Sequence, residues 1–339
     1  MRVTFVLPCR GKSGGVRSTV DLSSGLLRRG YDVRIVYRST PFLSRAGLRC
    51  ALYRLRGFNN SDWISDFDGK VESFNNLEQV CFEDGEIVIA VGAMTIEAVY
   101  NLQQPVIKIR QCRGFLEHMP ELMNYAWGLP MPTIAVSETL IPSLEQYSSG
   151  HVIGVVPNGI DTKEYFPEEY TRNGVGTIFS RSPKKSPEDT LTLMRQIKDR
   201  WPNLSRYVFG TARRPKELPK SVYWILPPIG KCRELYNRSK IWLVTSRSEG
   251  FCRPILEAMA CGTMVISTNH DSASGLISHG ENGILVPIGD IDAFMEYIDL
   301  FLKDKKERQR FVENGFETVR KFTWEDAVDK MEEVLLSVC

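Results

Sequence analysis

Two carboxylates, Glu249 and Glu257, stand eight positions apart in the stretch Thr245-Ser-Arg-Ser-Glu-Gly-Phe-Cys-Arg-Pro-Ile-Leu-Glu-Ala-Met-Ala-Cys-Gly-Thr-Met-Val-Ile266. Acids at such a spacing are commonly no more than solvated side chains, so their surroundings decide the reading. Ile241-Trp-Leu-Val-Thr245 is a short apolar run rich in β-formers and reads as a buried parallel strand. Pro254 suits the start of a helix and Gly262 its end. Strand, glycine-bearing loop and helix start therefore follow one another. A helix start offers unpaired N–H groups and the positive end of the macrodipole, which favour an anionic group such as a phosphate. Glu249 in the loop and Glu257, expected in the first helical turn, can accept hydrogen bonds from hydroxyls on either side of it. Hydroxyl, phosphate, hydroxyl is the outline of a nucleotide sugar.

Such a junction needs a sheet behind it. Apolar runs at 3–7, 32–37, 87–91, 106–109, 133–136, 176–179, 207–209, 221–225, 241–245 and 264–267 alternate with helical segments, the pattern of β-α-β units and parallel sheets. At 339 residues and 42% apolar, the chain has enough material for two cores of about 150 residues each. Between the two sets of strands lies Val155-Val-Pro-Asn-Gly-Ile-Asp161, dense in turn residues, where we place the hinge. The closing segment carries Trp324, Ala327, Val328, Met331, Val334 and Leu335 on one helical face, with Thr323 as N-cap, so it must pack on something.

Glu-Gly-Phe-x-x-Pro-x-x-Glu-Ala-Met-Ala-Cys-Gly, followed by Val-Ile, closely resembles the Glu-x7-Glu signature of the retaining glycosyltransferases of family 4. The resemblance implies an α/β protein with two facing Rossmann-like domains (GT-B). Residues 1–156 would hold the acceptor and 157–321 the nucleotide-sugar donor, with a helix in 322–339 crossing back to the first domain. It implies that Glu249 lies against the donor sugar and Glu257 holds the ribose, with Gly250, Phe251, Cys252 and Arg253 lining the donor site. Ile178-Phe-Ser-Arg-Ser-Pro-Lys-Lys-Ser-Pro187 is similar to the family's Gly-Arg-x-x-x-x-Lys-Gly segment, one residue shorter and with Ser180 in place of the glycine. Arg181 and Lys185 would clamp the diphosphate, with Lys184 competing for the second place. The nucleobase would lie near Pro227-Pro228-Ile229, and His279-Gly-Glu-Asn-Gly-Ile-Leu-Val-Pro287 matches a further family turn. Two segments depart from the pattern: Arg110 or Gln111 stands where many members have histidine, and Asn269-His-Asp-Ser-Ala-Ser-Gly275 replaces Gly-Gly-x-x-Glu. His118, in a loop beside these, is either a sugar contact or a surface histidine.

The first loop, Pro8-Cys-Arg-Gly-Lys-Ser-Gly-Gly-Val16, is not a triphosphate P-loop, because Val6 stands where the motif's first glycine belongs. Gly14 and Gly15 instead lead into a helix over 16–29 and let a ligand approach its start, the place the family uses beside the donor phosphates and acceptor. No Gly-x-Gly-x-x-Gly occurs, against a dinucleotide dehydrogenase. The eight cysteines are scattered without metal spacing, so neither disulfides, metal nor cofactor is expected. No run reaches the ~20 apolar residues of a spanning helix, and the short apolar core after Met1 is no secretory signal, which points to a cytoplasmic chain.

The net charge of +2 conceals twelve Lys or Arg against Asp21 and Asp32 in the first 60 residues. Within them, 42–56 sets Leu48, Leu52 and Leu55 against Arg45, Arg49 and Arg56. That pattern fits equally an interfacial helix on an anionic membrane and a helix packed on its own domain. Nothing accompanies the charge that would make a nucleic-acid site. The expectation is a metal-independent retaining hexosyltransferase, moving a sugar from a nucleoside-diphosphate sugar to a glycan, lipid-linked or small-molecule acceptor. A sugar-nucleotide epimerase, a phosphorylase or a binding module without turnover are the alternatives.

Overall fold

The computed structural model describes residues 1–11, 13–39, 62–115, 119–147 and 150–339. The basic segment 42–56 and His118 lie outside the described residues. Two units divide the chain: Met1–Gly159 together with Trp324–Cys339, and Ile160–Thr323. The junction falls three residues beyond the expected 156, because the N–H of Ile160 already donates to the Phe322 carbonyl of the second unit at 2.9 Å.

The first unit holds β1 (Arg2–Leu7), α1 (Gly14–Arg28), β2 (Asp32–Arg38), β3 (Lys70–Phe74), β4 (Ile87–Val91), α2 (Ala93–Tyr100), β5 (Ile107–Cys112), α3 (Pro120–Gly128), β6 (Thr133–Ala135), α4 (Ile141–Tyr147) and β7 (Val152–Val155). The second holds β8 (Gly174–Ile178), α5 (Pro187–Arg200), β9 (Ser205–Gly210), β10 (Tyr223–Ile225), α6 (Ile229–Arg238), β11 (Ser239–Val244), α7 (Arg253–Ala260), β12 (Met264–Thr268), α8 (Asp271–Ser274), β13 (Ile284–Val286), α9 (Ile291–Lys303) and α10 (Lys305–Val319). The last helix, α11 (Trp324–Ser337), belongs to the first unit.

Both sheets are parallel throughout, in the orders β3-β2-β1-β4-β5-β6-β7 and β10-β9-β8-β11-β12-β13. Each sheet is wound outward in both directions from a central pair, β1/β4 in the first and β8/β11 in the second. Loops leaving the carboxyl ends of such a pair diverge and open a crevice, the usual ligand site of doubly wound sheets.

The six apolar residues that share one face of α11 are the six it buries, and they join Val16, Val20 and Leu26 of α1 in the first core. Two glycines admit the helix. A Cβ on Gly25 would lie 2.3 Å from Val328 Cγ2, and one on Gly154 would lie 2.3 Å from Val334 Cγ2. The second core gathers Val175, Val208, Leu243 and Ile266 from its strands with Leu193, Ile197 and Ile298 from α5 and α9.

Candidate functional site

In the second unit, the loops leaving β8 and β11 are laced together at the winding centre. After β8 the chain turns through a short 3-10 segment, Pro183–Lys185, and passes Ser186 at φ +43° before Pro187 opens α5. The Lys184 carbonyl accepts the Arg247 N–H at 2.7 Å, and the Lys185 carbonyl accepts the Thr245 hydroxyl at 3.1 Å. With both backbones fixed, the Lys185 ammonium pairs with the Glu249 carboxylate, which also accepts the Ser246 hydroxyl at 2.8 Å. Thr268, at the end of β12, donates to the Ser246 carbonyl and ties a third strand into the same group. Burial holds the Lys185 ammonium below the usual lysine range. A cation so desolvated gains most from an anion delivered to it.

Glu257 stands in the second turn of α7, not the first, because the helix begins at Arg253 behind a left-handed Cys252 at φ +59°. Its carboxylate is fixed from behind: Oε2 accepts the Tyr236 hydroxyl at 2.8 Å, and Arg253 Nε lies 3.6 Å from Oε1. Tyr236 is fully buried, with its ring 4.2 Å from that of Trp242 and 5.7 Å from that of Phe209. Burial first, then the charge of Glu257, holds the Tyr236 phenol well above its ordinary value. It is therefore a permanent donor to the carboxylate.

The remaining loop residues have structural duties. Phe251 is buried edge-on against Phe322 at 5.7 Å. The Cys252 thiol, pushed up to about 11 by burial, is no nucleophile at neutral pH. Gly262 ends the helix at φ +68°, the left-handed conformation that glycine tolerates best. Arg181 is not drawn into the Lys185–Glu249 cluster. It reaches the Arg213 carbonyl at 3.5 Å and lines a cavity of about 340 Å³ with Phe179, Leu191, Pro215, Lys216 and Glu217. Pro227 and Pro228 follow a left-handed Leu226 after β10 and lead into α6.

In the first unit, α1 starts at Gly14, two residues earlier than expected, because Ser13 caps it by accepting the Val16 N–H at 3.3 Å. Gly14 and Gly15 are therefore the first helical residues. Among the described residues, a Cβ on Gly14 would meet nothing within 4 Å, and one on Gly15 would meet only Arg113 Cδ, at 3.9 Å. Packing within the unit does not demand glycine there; it leaves the helix start open.

Neither residue at the position that often carries histidine is displayed. Arg110 is fully buried and clasps the end of α3, donating to the Ala126 and Trp127 carbonyls at 2.9 and 3.1 Å and to the Thr133 hydroxyl at 2.8 Å. Burial lowers its guanidinium to about 10. Gln111 is buried too, and its carboxamide accepts Arg113 Nε and Nη2 at 3.1 and 2.9 Å. Arg113, which the sequence reading missed, donates from Nη1 to the Gly15 carbonyl at 3.2 Å and is the cation beside the α1 start. Its position two residues beyond Gln111, past the end of β5, was the available signal.

A second residue escaped notice individually. His270, in the segment that departs from the family pattern, is 2% exposed and caps α8. Among the described residues, no group of three His, Cys, Asp or Glu could hold a metal ion, and no helix is long and apolar enough to cross a membrane.

Residues 168–318 match the sequence model of the family described as Glycosyl transferases group 1, a match that spans most of the second unit and less than half the chain. The lipopolysaccharide core biosynthesis glycosyltransferase LpsE of Rhizobium meliloti is 35% identical over 98 residues, 29% of each protein. The exopolysaccharide phosphotransferase SCO2592 of Streptomyces coelicolor is 23% identical over 98% of this chain and 40% of its own length. The chain thus spans well under half of either relative. Among solved structures, Anabaena Alr3699/HepE in complex with UDP-glucose is 19% identical with a TM-score of 0.74 over 99% of this chain and 100% of that one. Sucrose-phosphate synthase from Thermosynechococcus elongatus gives 14% and 0.73 over 100% and 99%. The chain has the GT-B fold class, shared with these structures, and the family model over its second unit and the LpsE match are both to glycosyltransferases.

Proposed function

We propose that this protein is a retaining glycosyltransferase of family 4 that takes a sugar from a nucleoside-diphosphate sugar in the second unit and passes it to a glycan or lipid-linked glycan acceptor. The observation that carries the reading is the pairing of Lys185 with Glu249 at the carboxyl ends of β8 and β11, with Glu257 held by Tyr236 on the adjoining helix. On this reading Glu257 accepts the ribose hydroxyls, Glu249 a hydroxyl of the transferred sugar, and Lys185 the diphosphate. Arg181 supports the diphosphate from the neighbouring loop. In the first unit, Gly14 and Gly15 leave backbone donors at the start of α1 for the acceptor, with Arg113 beside them.

The glycosidic bond to phosphate breaks, and the acceptor oxygen bonds the same face of the sugar carbon. The acceptor proton passes to the departing phosphate. That accounts for a site whose carboxylates are both engaged as acceptors rather than poised as nucleophiles. Charge growing on the leaving diphosphate is stabilised most by groups placed beforehand, and a desolvated ammonium is one. No cofactor takes part, and the setting is the cytoplasm, at the inner face of the membrane if the acceptor is lipid-linked. The solved Alr3699/HepE with UDP-glucose and TarM with UDP and alpha-GlcNAc-glycerol make UDP sugars the first donors to try.

Titration calorimetry with UDP, GDP and their glucose and mannose conjugates tests the reading. Glu257→Ala should weaken nucleoside diphosphate and sugar conjugate alike by about 1.5–3 kcal/mol, the worth of a charged hydrogen-bond acceptor. Glu249→Ala should spare the diphosphate and reduce turnover. An unchanged Kd in folded Glu257→Ala removes that residue from the site, and a product of inverted anomeric configuration overturns retention.

A further inference from the structure

His270 is buried, yet only one of its two ring nitrogens is used within the protein. Nδ1 accepts the Ala273 N–H at 3.3 Å and lies 3.2 Å from the Ser272 hydroxyl. A backbone N–H can only donate, so Nδ1 must be the acceptor and the ring proton of the neutral imidazole sits on Nε2. Nε2 is buried with no hydrogen-bond partner among the described residues. A buried donor left in that state has lost its water without a replacement, and such groups call for an explanation.

Its place in the fold supplies one. His270 follows β12 by two residues, and Thr268 on that strand bonds the Ser246 carbonyl, whose hydroxyl in turn bonds Glu249, the partner of Lys185. The His270 N–H donates to the Thr268 carbonyl at 3.0 Å, fixing the turn that carries the ring. The charge of Lys185 reaches the ring and, after burial, is the second influence keeping it unprotonated. The three strands β8, β11 and β12 thus each bring one polar group to the same end of the sheet: Lys185 a cation, Glu249 an acceptor, His270 a neutral donor.

We propose that His270 is a ligand-binding residue, its Nε2–H donating to an oxygen on the part of the nucleotide sugar that lies at the Lys185–Glu249 pair, either the distal phosphate or a hydroxyl of the transferred sugar. This rests on the donor-site reading above. A neutral donor suits that place: it adds a directional contact beside Lys185 without adding a second positive charge beside the first.

The test uses the full chain and two variants, His270→Asn and Glu257→Ala, with UDP, GDP, UDP-glucose and GDP-mannose as probes in calorimetry. Asparagine is itself a good N-cap, so His270→Asn keeps the acceptor for Ala273 and loses only the reach of Nε2. Its affinity for the sugar conjugate that binds the wild type should fall about ten-fold, the effect of one hydrogen bond. If the free diphosphate loses as much, the oxygen belongs to the phosphate; if only the conjugate loses, it belongs to the sugar. In wild-type protein labelled with nitrogen-15 in histidine, the Nε2–H resonance should shift and its exchange with water slow when the probe binds, a readout that a purely structural cap would not move. An Asn variant that binds every probe like the wild type, together with an unmoved Nε2–H signal, overturns the assignment while a weakened Glu257→Ala preserves the donor site. If no probe binds the wild type, the donor-site reading falls and the assignment falls with it.

Discussion

Acid should expose His270 as a point of weakness in the second unit. Burial, reinforced by the nearby Lys185 charge, lowers its imidazole from the ordinary 6.5 to about 4. The folded value is depressed, so the unfolded chain takes up the proton first. The stability at stake is fully present above pH 6.5 and is lost as pH falls toward 4. Between pH 7 and pH 5 the loss comes to about 2 kcal/mol, and it approaches roughly 3 kcal/mol when both states are protonated. Between pH 7 and pH 5 ordinary carboxylates, which titrate at about 4, stay largely ionised. His270→Asn cannot take up the proton, so comparison with it isolates the effect. In guanidinium titrations followed by tryptophan fluorescence, the wild-type midpoint for the second unit should drop between pH 7 and pH 5 by about 0.5 M more than the variant's, given a slope of about 4 kcal/mol per molar. A ring-proton NMR titration should place the His270 midpoint near 4. Parallel pH dependence in the two proteins, or a ring that titrates near 6.5, would refute the tautomer and burial argument together.

Three further outcomes are expected. Lys185→Ala should cut turnover by about two orders of magnitude with a smaller effect on donor binding, since the leaving diphosphate gains charge in the transition state; Arg181→Ala should cost less, and restoration of chelated enzyme by a divalent cation would contradict the metal-free scheme. Gly25→Ala should destabilise the first unit by about 1–3 kcal/mol through overpacking against Val328, and adding Val328→Ala should recover part of that loss; additive penalties in a denaturation cycle would show that the two do not touch. If the basic segment 42–56 meets lipid, the protein should sediment with anionic but not neutral vesicles and be released near 0.5 M salt, whereas equal partition to both, or binding to neither, would favour a soluble acceptor.

The strands that the sequence disclosed and the ones it hid differ in where they lie. All ten apolar runs became strands, nine of them in the sheet interiors, where helices cover both faces. The three overlooked strands, β3, β7 and β13, are all at sheet edges. β3 reads Lys-Val-Glu-Ser-Phe with most residues exposed, and β7 spends Gly154 on admitting Val334. For β3 the pairing is fixed by the neighbouring strand rather than by its own composition, whereas β13 (Ile284–Val286) is wholly apolar but only three residues long.

The site divides along the same line. Glu249 and Glu257 could be singled out because a helix start and a loop carboxylate are local features, and Lys185 only through the resemblance of its segment; the fold then pairs Lys185 with Glu249. The sequence left Arg110 and Gln111 open as substrate contacts because a strand position says nothing of depth. Arg110 is consumed by the carbonyls at the end of α3, a contact that exists only once β5 and α3 have packed. Arg113 and His270 were missed for the converse reason. Each is defined by a partner distant in sequence or by the want of one: Gly15 for the arginine, and an unmet Nε2–H for the histidine. Departure from a family pattern marks where such residues lie, because there the chain must supply the chemistry with different side chains. In the segment that replaces Gly-Gly-x-x-Glu, the family glutamate is gone and a buried neutral donor stands at the end of β12. What the sequence alone reads as a departure from the pattern is, in the folded chain, a buried Nε2–H that has no partner among the described residues.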